Sequence, residues 1–189
     1  ASDVYKRQLV INGADGVQGH TMTLWRLLAR YQIPTFLFIN KMDQDGTDKE
    51  KLLAELKKRL SDNCVDFTWE KSDLQSQFLE DISVCDEELL EKYLETEEIS
   101  TSDIRKVIKE RKLFPCFFGS ALKMTGVEEF LHGLEKYCET PTYPSEFGAK
   151  VFKIARDDQG NRLSYMKITG GTLKVKELLT VSYTHLTLP

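Results

Sequence analysis

The sequence predicts an α/β protein in which a parallel sheet is flanked by helices, followed by the opening strands of a separate β unit. Two observations predict the sheet. The apolar runs "FLFI" (36–39) and "LFPCFF" (113–118) are typical of strands buried on both faces, and segments with helical spacing lie between them. The third observation is a change of period after Thr140, where apolar residues begin to alternate with polar ones.

The first elements of the predicted sheet follow in a regular order. A strand is predicted over Leu9–Ile11 and a helix over His20–Tyr31, which ends before Pro34 because proline cannot continue a helix. The buried strand Thr35–Ile39 comes next. This order is typical of a parallel sheet with helical crossovers.

The helices that follow are identified by their caps and their apolar spacing. Thr47, with Glu50 three residues later, is predicted to form a capping box that opens a helix. The region 72–112 is helical and mostly acidic, and we interpret it as a helical insert that covers one end of the sheet. The second buried strand, Leu113–Phe118, leads to a helix over Val127–Cys138.

Composition predicts how the chain is divided. Residues 9–141 form the α/β unit, and residues 142–148 form a linker that is rich in proline. Residues 149–181 begin the β unit, with two alternating strands and a third that starts at "GGTLKV". The terminal segments 1–8 and 182–189 resemble translated adapter sequence, and we interpret them as a non-native leader and tail.

Overall composition excludes several classes of protein. The net charge of −4 at pH 7 argues against a polybasic nucleic-acid binder. No apolar run approaches membrane-spanning length, so we expect no membrane association. The four cysteines are widely separated, which argues against a zinc knuckle or a redox pair and favours the cytoplasm; they are Cys64, Cys85, Cys116 and Cys138.

The candidate binding site follows the first buried strand, where "FLFI" leads directly into "NKMD". Ligands of open α/β sheets bind at the carboxyl ends of the strands. Asp43 carries a carboxylate that can accept hydrogen bonds from N1–H and N2–H of guanine together. Asn40 offers an amide donor to N7 and can tie neighbouring loops, while the stem of Lys41 can lie along the face of the base. The alternative interpretation is a polar cap on a buried strand.

A second loop is expected to complete this site. "GSAL" follows the other buried strand, and the small pair Ser120–Ala121 is suited to donate a backbone N–H to O6 of guanine. Leu122 is included in the predicted nucleotide-binding set. A pocket of this kind rejects adenine because each unpaired polar group costs about 1–3 kcal/mol.

Several motifs in this order resemble those of translational GTPases. "DGVQGHT" before a helix, "IPTFLFINKMDQDG", "GSALKMTGVEEFL" and "VFKI…RLSYMKITGGTL" after the linker are similar to elongation factor G and its relatives. The similarity is greatest to the tetracycline ribosomal-protection proteins, because the interval between Asp43 and Ser120 is short. The resemblance implies the carboxyl-side half of a P-loop GTPase domain followed by the first strands of a β-barrel domain.

The resemblance also implies features that are missing from this sequence. The phosphate-binding pattern G-x-x-x-x-G-K-[ST] is absent, and "GADGVQGHT" does not replace it because its glycines are wrongly spaced and His20 stands in place of the lysine. The family's D-x-x-G-H element is absent as well. We therefore predict no catalytic residue and no metal ligand in this chain, and no GTP hydrolysis by the chain alone. We expect the parent protein to be a GTPase that binds GTP or GDP with Mg²⁺.

The expected partners are a guanine nucleotide and the ribosome, with a monomeric parent protein in the cytoplasm. Three alternatives stay open at this point. One is elongation factor G itself, acting in translocation. Another is a GTPase of ribosome assembly or signalling, against which the β segments after the linker argue. The last is a non-enzymatic remnant that kept the fold and lost the nucleotide.

Overall fold

A computed structural model describes residues 7–68, 75–138 and 143–176 of the chain, and they form two compact units. The first unit lies within residues 7–138 and the second within residues 143–176. No helix in these ranges is both long enough and apolar enough to cross a bilayer.

The first unit is an α/β unit with a parallel sheet in the order β1-β2-β4-β3. The bounds of its elements in chain order are β1 (Arg7–Asn12), α1 (Gly19–Arg30), β2 (Thr35–Asn40), α2 (Lys49–Arg59), β3 (Cys64–Asp66), α3 (Gln75–Ser83), α4 (Glu87–Thr96), α5 (Thr101–Lys109), β4 (Phe114–Phe118) and α6 (Val127–Tyr137).

Helices cover both faces of the sheet. Successive residues of a strand point to opposite sides, and in the central strands the residues on both sides are apolar, so each face is buried under helices. Phe36 and Phe38 of β2 belong to one apolar cluster, which includes residues of α5 and α6. Leu37 and Ile39 belong to the other, which includes residues of α1 and α2. All four of these side chains are buried, which explains why the sequence shows an apolar run here rather than an alternating pattern.

Strand β3 was not predicted from the sequence. It has only three residues, Cys64–Asp66, and pairs in parallel with β4 at the edge of the sheet. All three are buried. A segment this short carries too little periodicity to identify a strand.

The predicted capping box at Thr47 and Glu50 is wrong. Helix α2 is capped by Asp48, whose carboxylate accepts a hydrogen bond from the backbone N–H of Lys51. The Thr47 hydroxyl donates instead to the backbone carbonyls of Met42 and Gln44, at 3.0 and 2.8 Å. Thr47 therefore closes the loop before the helix, and the next residue is left to cap it.

The start of β1 bears on the predicted leader, residues 1–8. The strand begins at Arg7, and Arg7 and Gln8 are in register with Thr35 and Phe36 of β2. The last two residues of the predicted leader thus belong to the sheet. Residues 1–6 lie outside the described residues, as does all of the predicted tail, 182–189.

The second unit is an antiparallel hairpin of β5 (Gly148–Arg156) and β6 (Arg162–Gly170). The third strand predicted from "GGTLKV" is not formed by residues 171–176. Gly171 adopts a φ of +57°, and its N–H donates to the carbonyl of Pro144 at 3.0 Å. This left-handed residue turns the chain out of the strand direction.

Candidate nucleotide-binding site

The candidate site lies where the two central strands end side by side. Strands β2 and β4 are paired in parallel, with Ile39 in register with Phe118. The residues that follow continue this contact as loops: the N–H of Gly119 donates to the carbonyl of Ile39 at 2.9 Å, and the N–H of Met42 donates to the carbonyl of Gly119 at 3.0 Å. The two predicted segments, "NKMD" and "GSAL", are therefore neighbours at the carboxyl edge of the sheet.

Asn40 connects the two loops through its side chain. Its Oδ1 atom accepts hydrogen bonds from the backbone N–H groups of Lys41 and Ala121, both at 2.8 Å. Because the amide oxygen takes both backbone donors, the amide NH₂ is the group that Asn40 offers to a ligand.

Lys41 has an unusual backbone conformation for a residue with a side chain. Its φ is +66°, in the left-handed region, which costs a non-glycine residue about 1–2 kcal/mol. The hydrogen bond from its N–H to Asn40 contributes to holding this conformation. The left-handed turn ends β2 and directs the chain towards Asp43, while Lys41 itself is exposed.

The carboxylate of Asp43 is held by two residues of the second loop. The side chain of Ser120, a residue only 3% exposed, lowers the pKa of this carboxylate. The ammonium group of Lys123 lies 3.4 Å from Oδ2 of Asp43. The interaction with the Ser120 side chain is the largest cause that lowers the pKa of Asp43, and Lys123 lowers it further. The carboxylate is therefore ionised near neutral pH and can act only as an acceptor.

The second loop is a tight turn closed by Ser120 and Thr125. The two residues exchange backbone hydrogen bonds at 2.9 and 3.1 Å. Gly119 is required beside this turn, because a Cβ atom there would collide with the carbonyl oxygen of Thr125. Leu122, at the tip of the turn, is 90% exposed.

The loop after β1 also reaches this site. The N–H of Gly13 donates to the carbonyl of Asn40 at 2.7 Å, and a Cβ at this position would lie 2.9 Å from the sulfur of Met42. Gly13 therefore allows a close approach of two loops. The sequence does not indicate this role, because glycines after a strand are equally typical of a phosphate-binding loop.

The structure thus brings four of the six predicted residues into one network, namely Asn40, Asp43, Ser120 and Ala121. Lys41 and Leu122 are exposed beside it. The N–H groups of Ser120 and Ala121 donate to Thr125 and Asn40 respectively, so in this structure both have protein partners. A hydrogen bond from this loop to O6 of guanine stays a prediction.

A metal site requires several ligating side chains close together. Among the described residues, no cluster of three or more histidine, cysteine or acidic side chains could hold a metal ion. His20 is the second residue of helix α1 and is exposed. The predictions that the chain lacks catalytic and metal residues are left untested by this observation.

Comparison with known proteins identifies the class to which this fold and this pair of loops belong. The class is the GTP-binding domains of elongation factors. The model of the elongation factor Tu GTP binding domain matches residues 7–140. The chain belongs to this family.

Two groups of curated relatives have nearly equal similarity to the chain. Elongation factor G of Ureaplasma urealyticum serovar 10 is 28% identical over 229 residues, which cover 87% of this chain and 33% of that protein. Tetracycline resistance protein TetO of Streptococcus mutans is 29% identical over 203 residues, which cover 96% of this chain and 32% of that protein. The chain therefore spans about a third of the length of these relatives.

A solved structure supports the fold. A crystal structure of a protein from Thermus thermophilus superposes with a TM-score of 0.73 over 90% of this chain and 32% of its own, at 22% sequence identity. This likeness confirms the predicted α/β architecture of a parallel sheet with flanking helices.

Proposed function

We propose that this chain contains the guanine-reading part of a GTPase that acts on the ribosome in the cytoplasm. The bound nucleotide would be GTP or GDP, with Mg²⁺ held by residues of the parent protein that this sequence does not contain. The parent would hydrolyse GTP as a monomer, and this chain alone would not. Family membership and the similarity to elongation factor G and TetO support this proposal.

The observation that carries the proposal is the geometry around Asp43. An ionised carboxylate lies at the carboxyl edge of the sheet, 3.4 Å from the ammonium group of Lys123 in the second loop. The loops on both sides are joined through Asn40. Such a carboxylate can accept from N1–H and N2–H of guanine at once, whereas adenine presents no such pair of donors. We assign Asn40, Lys41, Asp43, Ser120, Ala121 and Leu122 to the nucleotide site.

A hydrogen bond from the Ala121 N–H to O6 of guanine requires this N–H to leave its present partner or to be shared by two acceptors. The Ala121 N–H donates to Asn40 in this structure. A guanine O6 next to this loop would either share that hydrogen with Asn40 or take it over, and in both cases the environment of the Ala121 amide changes. This amide is therefore a local reporter of base binding.

Within the family we favour the ribosomal-protection type. The alignment with elongation factor G is 229 residues long and covers 87% of the chain. The alignment with TetO is 203 residues long and covers 96% of the chain. A longer alignment that covers less of the chain means that the elongation factor carries more residues without a counterpart here. The short interval between Asp43 and Ser120 agrees with this difference. Elongation factor G remains the alternative.

The type of factor is tested in cells. The full-length protein containing this chain, produced in tetracycline-sensitive bacteria, should raise the drug concentration that stops growth. It should not restore growth to cells depleted of their own elongation factor G. If the protein instead restores growth to the depleted cells and does not raise the drug concentration that stops growth, it acts in translocation.

Guanine recognition is tested on the chain itself. ¹⁵N-labelled protein is titrated with GDP and, in parallel, with ADP, and amide shifts are followed by NMR. We expect weak binding, since the phosphate loop is absent, with GDP shifting the Ala121 amide and ADP leaving it in place. Equal responses to the two nucleotides would contradict guanine recognition.

A further inference from the structure

A partly buried ion pair joins the start of α2, just after the Asp43 loop, to the end of β3. Asp66, the last residue of β3, is 8% exposed, and its Oδ2 lies 2.5 Å from the ammonium group of Lys49. The hydroxyl and N–H groups of Thr68 donate to Oδ1 of Asp66 at 2.5 and 2.9 Å, and Lys49 also donates to the Thr68 hydroxyl at 2.6 Å. We call these three residues the Lys49 cluster.

The Lys49 cluster joins the two parts of the nucleotide site. Lys49 is the first residue of α2 and so follows directly on the loop that carries Asp43. Asp66 lies on β3, in register with Cys116 of β4, the strand that leads to Ser120. The Lys49 ammonium also lies 5.3 Å from the ring centroid of Phe118, at the end of that strand. The cluster therefore fixes the end of one loop against the strand that supports the other.

The rest of the Asp43 loop is already closed. Its beginning is fixed where the N–H of Met42 donates to Gly119. Its middle is closed by the Thr47 hydroxyl, which donates to two carbonyls of the same loop. With the Lys49 cluster at its other end, the loop has little freedom to rotate. Binding groups must be held within about 0.5 Å of their working position, which requires such supporting contacts.

We infer that Lys49 and Asp66 are positioning residues that orient the Asp43 carboxylate for two-point recognition of guanine. This inference rests on the proposed function. A carboxylate that accepts from both N1–H and N2–H must keep its plane aligned with the base, whereas a single hydrogen bond tolerates rotation. Loosening the loop should therefore weaken the N2 contact most.

Comparison of GDP with inosine diphosphate (IDP) isolates that contact, because hypoxanthine keeps N1–H and lacks the N2 amino group. The full chain is titrated with GDP, IDP and ADP by NMR. We expect the unaltered protein to prefer GDP to IDP by about tenfold, the contribution of one hydrogen bond to a charged group. Lys49→Gln and Asp66→Asn should each reduce this ratio to about two- to threefold, because the second hydrogen bond is largely lost.

Two further variants make the comparison specific. Lys49→Arg keeps the positive charge and should keep most of the selectivity. Glu50→Gln changes an exposed residue in the same turn of α2 and should leave the ratio unchanged. A merely structural role for Lys49 would weaken the binding of all three nucleotides together and leave the GDP-to-IDP ratio in place.

The possible outcomes separate this inference from the proposed function. If the unaltered chain does not distinguish GDP from ADP, guanine recognition itself fails, and this inference fails with it. If it distinguishes them while Lys49→Gln keeps the tenfold ratio, only the positioning role is overturned. Asp66 is buried, so its replacement carries the greater risk of unfolding. The Lys49 side chain is 31% exposed, and Lys49→Gln alone decides the question if Asp66→Asn does not fold.

Discussion

The ammonium group of Lys123 lies 3.4 Å from Oδ2 of Asp43, and this ion pair unites two distant segments of the chain in one candidate site. Each residue follows a buried strand, and the two strands are neighbours in the sheet. The parallel pairing of β2 and β4 therefore creates the contact, and the small loops around Asn40 and Gly119 maintain it.

The side chain of Ser120 is expected to control the ionisation of Asp43. Because the Ser120 hydroxyl is the largest cause of the lowered pKa of Asp43, Ser120→Ala should raise that pKa towards its ordinary value. Ser120→Thr, which retains a hydroxyl group, should leave it low. The carboxyl ¹³C shift of Asp43, followed by NMR over an acid titration, measures both. An unchanged pKa in Ser120→Ala would show that Lys123 or the backbone controls the group instead.

Asn40 is expected to have two separable roles, one in the protein and one towards the ligand. Asn40→Asp keeps oxygen acceptors for the N–H groups of Lys41 and Ala121 but removes the NH₂ donor. It should fold normally and bind GDP more weakly. Asn40→Ala removes both functions and should in addition destabilise the protein by about 1–3 kcal/mol, since two backbone donors lose their partner. Chemical denaturation and NMR titration measure the two effects, and equal stability of the two variants would contradict this division.

The turn after β4 is expected to depend on Gly119. A Cβ at this position would collide with the carbonyl oxygen of Thr125, so Gly119→Ala must displace the backbone. We expect a loss of about 1–3 kcal/mol in the free energy of unfolding. Gly19→Ala is the matched control, because a Cβ there meets nothing within 4 Å and alanine favours the helix. Denaturant unfolding of both variants tests the difference, and similar stabilities would contradict the close approach.

The acid stability of the helical region is expected to depend on Asp103. This carboxylate completes the capping box of α5 with Ser100 and lies 2.6 Å from the ammonium group of Lys92. Lys92, and next to it Ser100, lower the pKa of Asp103 to about 2. A depressed pKa adds stability that is complete above the ordinary value of 3.8 and is lost as the pH falls towards about 2.

Asp103→Asn should therefore lower the free energy of unfolding by about 1 kcal/mol at neutral pH, as the loss of a cap does. The difference from the unaltered protein should shrink between pH 4 and pH 2, in the window that this pKa defines. Thermal melting at several pH values measures it. Glu91→Gln, at an exposed position of α4, is the control and should show no such pattern.

The chain alone is expected to hydrolyse no GTP, with or without ribosomes. The sequence has neither the phosphate-binding loop nor the D-x-x-G-H element, and these supply most of the stabilisation of the phosphoryl-transfer transition state in this class. Release of phosphate from GTP in the presence of Mg²⁺ measures the activity. A rate above the protein-free background that disappears in Asp43→Asn would contradict this prediction.

The sequence predicted the sheet and its helices because their signals are local. The runs in β2 and β4 are apolar throughout since both faces are covered, and the helices carry apolar residues at regular spacing. Asn40 is the last residue of β2, and Asp43 and Ser120 come shortly after the ends of β2 and β4, so the neighbouring positions of these residues could also be predicted. The fold class and the family resemblance are confirmed by the comparisons.

The contacts that the sequence could not reveal are those that depend on distant segments. Gly13 donates to the carbonyl of Asn40, Lys123 pairs with Asp43, and Lys49 pairs with Asp66, and no local pattern indicates any of these pairs. The cap of α2 was misplaced by one residue because Thr47 and Asp48 are both good capping residues, and only the loop geometry decides between them.

Guanine recognition by Asp43 is the central claim, and a change of base preference tests it most directly. Asp43→Asn replaces a carboxylate that accepts two hydrogens with an amide that both donates and accepts, which suits xanthine because xanthine has a carbonyl at C2 where guanine has its amino group. Both proteins are titrated with GDP and with xanthosine diphosphate. The unaltered chain should prefer GDP, and the Asp43→Asn variant should prefer the xanthine nucleotide. Asp45→Asn, an exposed neighbour in the same loop, should keep the original preference. If Asp43→Asn still prefers GDP as strongly as the unaltered chain does, Asp43 does not read guanine.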